Sequence, residues 1–449
     1  MSNQKKYDEL RRKYHQMTYE SYNYSVTADG LRMEFALRLD GTTIFRPTAL
    51  VESRSFLTFD LPHKVLDTLI FNIGMIELIS YWKACCPPVV RVECGHLSDD
   101  ARRFWLKTYR NGLGEFFYTN GIEGYEDDFM TLEAPESDDD ELLTDLVLNP
   151  GYIVPIGGGK DSVVTLEALG HDERPLPLIM NPRGATVGCV SAAGYTMNDV
   201  AVIKRTIDPL LLEMNAQGCL NGHTPFSAML AFYTLLVSAC SGRDNIALSN
   251  ESSANEATVV GTEVNHQYSK SLEFEDDFRR YVQDNIGGGF NYFSFLRPLS
   301  ELQIAMLFSG LPKYHDVFRS CNAGSKQDIW CGRCAKCLFA YIILSPFIEP
   351  IRLNAIFGKS MLDDTTLAPI FDQLTGRAPT KPFECVGTVS EVNSAINMAI
   401  KRWYTGQRPA LVANWQLQPS QTDLASLQPR HNLNSHELNI LRQCIEKNS

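Results

Sequence analysis

The sequence has no excess of positive charge. Lys and Arg number 41 against 53 Asp and Glu in 449 residues, a formal net charge of −12. Bulk attraction to nucleic acid or to an anionic membrane is therefore disfavoured, although a single cleft can still be basic. The N-terminus, MSNQKKYDELRRKYHQ, lacks the apolar stretch that a secretory signal needs, so a cytoplasmic protein is expected. There is no internal repeat and no low-complexity tract. Disulfide spacing is absent too. Cys85, Cys86, Cys94, Cys189, Cys219, Cys240, Cys385 and Cys444 are scattered, as small buried side chains are in a chain without a signal. Long uncharged runs are equally scarce. The stretch TPFSAMLAFYTLLVSACSG after His223 is the one such segment long enough to raise the membrane question. Its Pro225, serines and threonines favour a buried helix of an α/β core. These features together count against a nucleic-acid partner and against a membrane partner, and they leave the oligomeric state undetermined.

What is present suggests two or three domains. Residues 1–124 mix alternating segments (LRMEFALRL, TTIFRPTALVE) with a stretch from about Pro62 to Cys85 in which Val65, Leu66, Leu69, Ile70, Ile73, Ile76 and Ile79 keep helical spacing. This reads as an α+β region, with possible substrate binding. An acidic run with Asp138, Asp139, Asp140 and Glu141 consecutive marks a linker over residues 125–148. From residue 149 to 345 strands alternate with helices: YIVPI, then SVVTLEAL, LPLIMN, DVAVIKRT, helical stretches at Pro209–Gln217 and Thr224–Ser241, and NIALSN. That order predicts a doubly wound parallel sheet with helices on both faces, whose ligands sit beyond the carboxyl ends of the strands. Residues 346–449 form a smaller region, polar and turn-rich in places, with a helix near Val389–Tyr404.

Gly157, Gly158 and Gly159 lie between a strand and a helix. Backbone N–H groups there can approach an anion closely, and the helix N-terminus adds its positive end. Lys160 can reach a phosphate, Asp161 can help hold Mg²⁺, and the Ser162 hydroxyl can donate to a phosphate oxygen. A Walker A loop requires Gly where Val154 stands and Ser or Thr where Asp161 stands. No G-x-G-x-x-G is present. The segment PIGGGKDS instead resembles the S-G-G-x-D-S loop of the PP-loop ATP pyrophosphatases, with Gly157 in place of the usual Ser. That resemblance implies a grip on the β and γ phosphates of ATP while the α phosphate is attacked.

The remaining cysteines form a cluster. Cys331, Cys334 and Cys337 (CGRCAKC) are spaced by two residues each, and Cys321 lies ten positions earlier. Four thiolates can close a structural tetrahedral Zn²⁺ site, and a [4Fe–4S] cluster is open to the same four ligands. Several PP-loop enzymes that modify purine-like substrates carry a similar site, which favours Zn²⁺ and makes a nucleobase- or tRNA-modifying enzyme the main alternative. A binding module that has kept the loop but lost turnover is a second, disfavoured by the intact Lys160, Asp161 and Ser162.

Further segments are dense in chemical groups: NGH (Asn221–His223), SNES (Ser249–Ser252), EVNHQYSKS (Glu263–Ser271) and RPLSE (Arg297–Glu301). With SYWKA (Ser80–Ala84), RNGLGEFFYTNG (Arg110–Gly121), SCN (Ser320–Asn322) and PFECVG (Pro382–Gly387), they resemble the UDP-N-acetylmuramoyl-L-alanyl-L-glutamate epimerases of bacterial peptidoglycan synthesis, the MurL family. The resemblance spans roughly residues 80–390, about two-thirds of the chain. It implies an isomerase that turns the terminal L-glutamate of UDP-MurNAc-L-Ala-L-Glu into D-glutamate, with ATP converted to AMP and diphosphate.

A Cα proton beside a free carboxylate is hard to remove, because the product concentrates negative charge. An acyl-AMP could accept that charge as an enolate, after which a base on one face and an acid on the other would invert the centre. Candidates for proton transfer are His223, Glu251, His266, Tyr268 and Lys270; Lys or Tyr would need a lowered pKa. Arg297 could pair with a carboxylate or with the UDP diphosphate.

Overall fold

The computed structural model describes residues 2–124, 129–136, 142–171, 173–255, 265–417 and 423–448. The acidic residues Asp138, Asp139, Asp140 and Glu141 of the expected linker, and Glu263 of EVNHQYSKS, lie outside the described residues. The protein has an α/β fold with both parallel and antiparallel strand pairs. Its chain forms two compact units, each assembled from separated stretches: Met1–Ile153, Ala201–Ile246 and Gln267–Tyr292 in the first; Val154–Val200, Ala247–His266 and Phe293–Ser449 in the second.

In the first unit, Gln16–Thr27 and Gly30–Leu39 form an antiparallel hairpin. Gly30 has φ +135°, and a Cβ there would lie 2.0 Å from the Val51 carbonyl oxygen, so the close approach of the neighbouring strand requires glycine. Thr48–Glu52 pairs antiparallel with Gly30–Leu39 on one side and with Ala201–Thr206 on the other. Val89–Val92 joins parallel to Gln16–Thr27, and Asn149 to Ile153 runs parallel to Arg243 to Ile246.

The helix predicted near Pro62–Cys85 is His63–Trp82, and every residue from Asn72 to Trp82 is buried. By length and composition it could cross a membrane, yet 83% of its most apolar window is inside the protein, and it carries Glu77. The stretch after His223 is thus not alone in raising the membrane question; it forms the buried helix Phe226–Ser241, which packs on His63–Trp82.

Glu77 accepts from Arg205 Nε and Nη2 at 2.5 and 2.6 Å and from the Tyr233 hydroxyl at 3.0 Å. These bonds satisfy a carboxylate that would otherwise be costly to bury. Phe104, Trp105, Phe232, Phe278 and Tyr281 form an aromatic cluster, with the Phe104 and Tyr281 rings stacked at 4.2 Å.

In the second unit the helix Lys160–Leu169 carries the glycine loop at its N-terminus and packs on Glu301–Ser309 and on Ser435–Asn448. Leu176–Met180 is a strand, as LPLIMN implies, and the Leu178 carbonyl accepts the Ile156 N–H at 2.8 Å. Ala335–Leu344 follows the cysteine cluster and packs on Val389–Trp403. Both Glu301–Ser309 and Val389–Trp403 begin with capping boxes, Ser300 with Gln303 and Thr388 with Glu391. Pro350–Phe357 and Ser435–Asn448 are helices beyond the one expected after residue 346.

Candidate active site

The first unit gathers Lys83, Glu115 and His223. Lys83 follows the last turn of His63–Trp82, and its ammonium donates to the Gly222 carbonyl and, at 2.7 Å, to the Thr224 hydroxyl. The residues on both sides of His223 are therefore clamped by one side chain. Asn120 adds a bond to the Asn221 carbonyl at 3.1 Å. His223 Nδ1 lies 3.2 Å from a Glu115 carboxylate oxygen, with both side chains less than a quarter exposed. A carboxylate on one ring nitrogen fixes the orientation of an imidazole and stabilises its charged form, an arrangement suited to proton transfer at the other nitrogen. Burial, aided by the Arg205 charge, pulls Lys83 down to about 8 against the opposing pull of Glu115.

Tyr268 and Lys270 form a short turn, Tyr268–Lys270, in the same unit. Tyr268 is buried against Phe274, and burial together with Asp277 and Glu273 raises its pKa, which holds its proton more firmly. That is the opposite of the shift a tyrosine base requires. His266 belongs to the second unit and is part-buried.

In the second unit the glycine loop opens the helix Lys160–Leu169 with Gly159 at its N-cap and no side chain capping it. A Cβ on Gly157 would meet nothing within 4 Å, and one on Gly159 would meet only Ser320, at 3.6 Å. Gly158 is different: φ is +82°, a Cβ would lie 2.9 Å from that of Ala185, and its carbonyl accepts the Arg319 N–H at 2.8 Å. The loop is thus anchored at its centre and open on both sides, beside an uncapped helix N-terminus. This geometry fits an anionic group such as a phosphate.

Lys160 turns inward and bonds the carboxylates of Asp161 and Glu301. Burial works against its charge, but the two carboxylates outweigh that and raise its pKa. Burial pushes Glu301 upward as well, reinforced by Asp161, Glu251 and Glu391 against the pull of Lys160. Glu391 accepts the Glu301 N–H at 2.7 Å. Glu251 accepts from Ser253 at 3.0 Å, and its backbone carbonyl accepts Arg297 Nη1 at 2.7 Å. Arg297 is 1% exposed and also donates to Ser294 Oγ at 3.2 Å, so here it ties segments of its own chain together. Ser162 Oγ donates to the Gly159 carbonyl at 3.2 Å.

The four cluster cysteines lie with their sulfurs within 4.8 Å of one another. Sulfur pairs are 3.8 Å apart for Cys321 and Cys334, 3.7 Å for Cys331 and Cys337, and 3.5 Å for Cys334 and Cys337. A tetrahedral ion with Zn–S bonds of about 2.3 Å places its sulfurs about 3.8 Å apart. In a [4Fe–4S] cluster each thiolate sits on its own iron, which spreads the sulfurs beyond mutual contact. The donor set fits a single thiophilic ion. The Gly324 N–H donates to Cys321 Sγ at 3.1 Å, and Glu384 accepts the Lys336 N–H at 2.9 Å beside the cluster.

Lys83, Glu115, Glu301 and Glu391 were not among the sequence-derived candidates. The first three lie in quoted segments, SYWKA, RNGLGEFFYTNG and RPLSE, so the signal was present without a reason to choose within it.

Family models match residues 8–295, described as the MurL N-terminal domain, and residues 317–428, described as the MurL C-terminal domain. The chain is similar to proteins named UDP-N-acetyl-alpha-D-muramoyl-L-alanyl-L-glutamate epimerase from three bacteria. The one from Xanthomonas oryzae pv. oryzae is 36% identical over 338 residues, 74% of each chain. That from Salinispora tropica is 32% identical over 418 residues, 91% of this chain and 89% of the relative. That from a Micromonospora species is 32% identical over 409 residues, 87% of this chain and 88% of the relative. No solved structure matches the chain.

Proposed function

This chain belongs to the MurL family, and from that premise we propose that it is an isomerase of peptidoglycan precursor synthesis that epimerises the terminal L-glutamate of UDP-MurNAc-L-Ala-L-Glu. The observation that carries this reading to residues is the Glu115–His223 pair, held in place by Lys83. Glu115 orients the imidazole, and His223 exchanges a proton with the glutamate Cα. We place the reaction in the cytoplasm.

The same reading includes ATP as a second substrate and a PP-loop core. ATP would convert the glutamate carboxylate to an acyl-AMP with loss of diphosphate, which gives the Cα carbanion a carbonyl to delocalise into. The open sides of the loop at Gly157 and Gly159 and the uncapped helix N-terminus would hold the phosphates, with Asp161 toward Mg²⁺. Lys160 would exchange one of its two carboxylate partners for a phosphate oxygen. Cys321, Cys331, Cys334 and Cys337 would hold a structural Zn²⁺ that pins the 321–334 segment ahead of the helix Ala335–Leu344.

Diphosphate release during incubation with UDP-MurNAc-L-Ala-L-Glu, ATP and Mg²⁺ tests this chemistry. Release is expected only with the L-glutamyl precursor present, and Lys160→Met should abolish it. Epimerisation without nucleotide would remove the ATP step and leave the isomerase standing.

A further inference from the structure

Three helices of the second unit begin at one place. Lys160 is the first residue of Lys160–Leu169, Glu301 the first of Glu301–Ser309, and Glu391 the third of Val389–Trp403. Glu301–Ser309 packs on both of the others. Each helix start carries N–H groups without an intrahelical acceptor and a partial positive charge, so each attracts an anion.

Two of these three starts are filled by side chains. Glu391 Oε2 accepts the Thr388 N–H and the Thr388 hydroxyl, both at 2.8 Å, and Thr388 Oγ1 accepts the Glu391 N–H at 3.2 Å. The other oxygen, Glu391 Oε1, reaches across to the Glu301 N–H at 2.7 Å, from 90 positions away in sequence. One carboxylate thereby serves the first turns of two helices. Ser300 and Gln303 complete the start of Glu301–Ser309: Ser300 Oγ accepts the Gln303 N–H at 3.2 Å, and Gln303 Oε1 accepts the Ser300 N–H at 2.9 Å. Of the three N-caps only Gly159 has no side chain to offer, which leaves the glycine loop as the open seat for an anion.

The same bond holds Glu301 in place. Glu301 is 4% exposed; its backbone N–H is held by Glu391, and its carboxylate holds the Lys160 ammonium. Gly387, at the end of PFECVG, lets the two glutamates approach: a Cβ there would lie 3.0 Å from Glu301 Cγ and 3.1 Å from Glu391 Oε2. The position of Lys160 thus depends on Glu301, and that of Glu301 on Glu391.

We propose that Glu391 is a positioning residue for nucleotide binding: through Glu301 it sets where the Lys160 ammonium stands, and by occupying the start of Glu301–Ser309 it leaves Lys160–Leu169 as the seat of the phosphates. The role presupposes ATP at the glycine loop, and Glu391 itself touches no phosphate. Without its carboxylate the Glu301 N–H is left orphaned beside the loop, and the side chain that holds Lys160 loses its anchor.

The test measures binding of inorganic diphosphate with Mg²⁺ to the full-length protein by titration calorimetry. The unaltered protein should bind, and Lys160→Met should not. Glu391→Ala should bind roughly tenfold more weakly, the equivalent of about one hydrogen bond to a charged group. Thr388→Ala breaks the same capping box but leaves the Glu301 N–H held, so it should lower the melting temperature while keeping the diphosphate affinity within about twofold. If Glu391→Ala does not fold, Glu391→Gln makes the same comparison: it keeps a capping-box oxygen but has one where two are needed, and its affinity should fall in the same direction. Equal affinity in the unaltered protein and the Glu391 variant would overturn the role and leave ATP at the loop standing. An equal loss in Thr388→Ala would also overturn it, by reducing Glu391 to a helix cap. Failure of the unaltered protein to bind diphosphate would remove the nucleotide site itself, and the role with it.

Discussion

Replacing Lys83 by Met separates two consequences of burying an ammonium. The side chain is 7% exposed and donates to Gly222 and Thr224, yet burial brings its pKa from 10.5 to about 8. At about 1.36 kcal/mol per unit, a difference of about 2.5 units corresponds to about 3 kcal/mol. The sign follows from proton counting. Between pH 8 and 10.5 the unfolded chain keeps a proton on Lys83 that the folded chain has released, so stability rises with pH across that window. The contribution is fully present above 10.5 and is lost as pH falls through 8. Met keeps the aliphatic stem and cannot titrate. Urea unfolding of both proteins from pH 7 to 10.5 should therefore give curves whose difference is flat at the low end and then moves by about 3 kcal/mol in favour of the native residue. Parallel curves would refute the argument. At neutral pH the variant should also lose turnover by roughly 10- to 100-fold, because Gly222 and Thr224 no longer hold His223 against Glu115.

Glu77→Ala should cost about 3–5 kcal/mol in chemical denaturation, because Arg205 is left buried without its charge partner; adding Arg205→Met should recover most of it. Gly158→Ala forces a left-handed φ on a residue with Cβ and presses it against Ala185, so about 1–3 kcal/mol of stability should be lost, with a raised KM for ATP in a diphosphate-release assay. Metal analysis should find about one zinc per chain, and Cys334→Ser should lower both the zinc content and the melting temperature.

Local signals were readable in the sequence and distant pairings were not. PIGGGKDS spells out strand, turn and helix start within eight residues, and the structure has all three in that order. The cysteine cluster was legible because two C-x-x-C steps set three ligands by local geometry. Lys160 and Glu301, by contrast, are 141 positions apart, and Lys83 and Gly222 139 apart. Nothing near Lys160 tells that its ammonium is engaged by a carboxylate from another helix. Arg297 reads as an anion ligand by residue type, while its burial under Glu251 and Ser294 depends on how distant segments close over it. Ser435–Asn448 escaped because its apolar residues Leu438, Ile440, Leu441 and Ile445, although at helical spacing, are set among polar ones in a short terminal segment.

The central claim is inversion at the glutamate Cα, and the most direct measurement is made in D₂O. UDP-MurNAc-L-Ala-L-Glu is incubated with the protein, ATP and Mg²⁺, and the recovered glutamate is analysed for configuration and isotope. D-glutamate carrying one deuterium at Cα is expected, with both inversion and label falling sharply in His223→Gln. Recovery of unlabelled L-glutamate, from a protein that remains folded under the same conditions, would contradict the assignment.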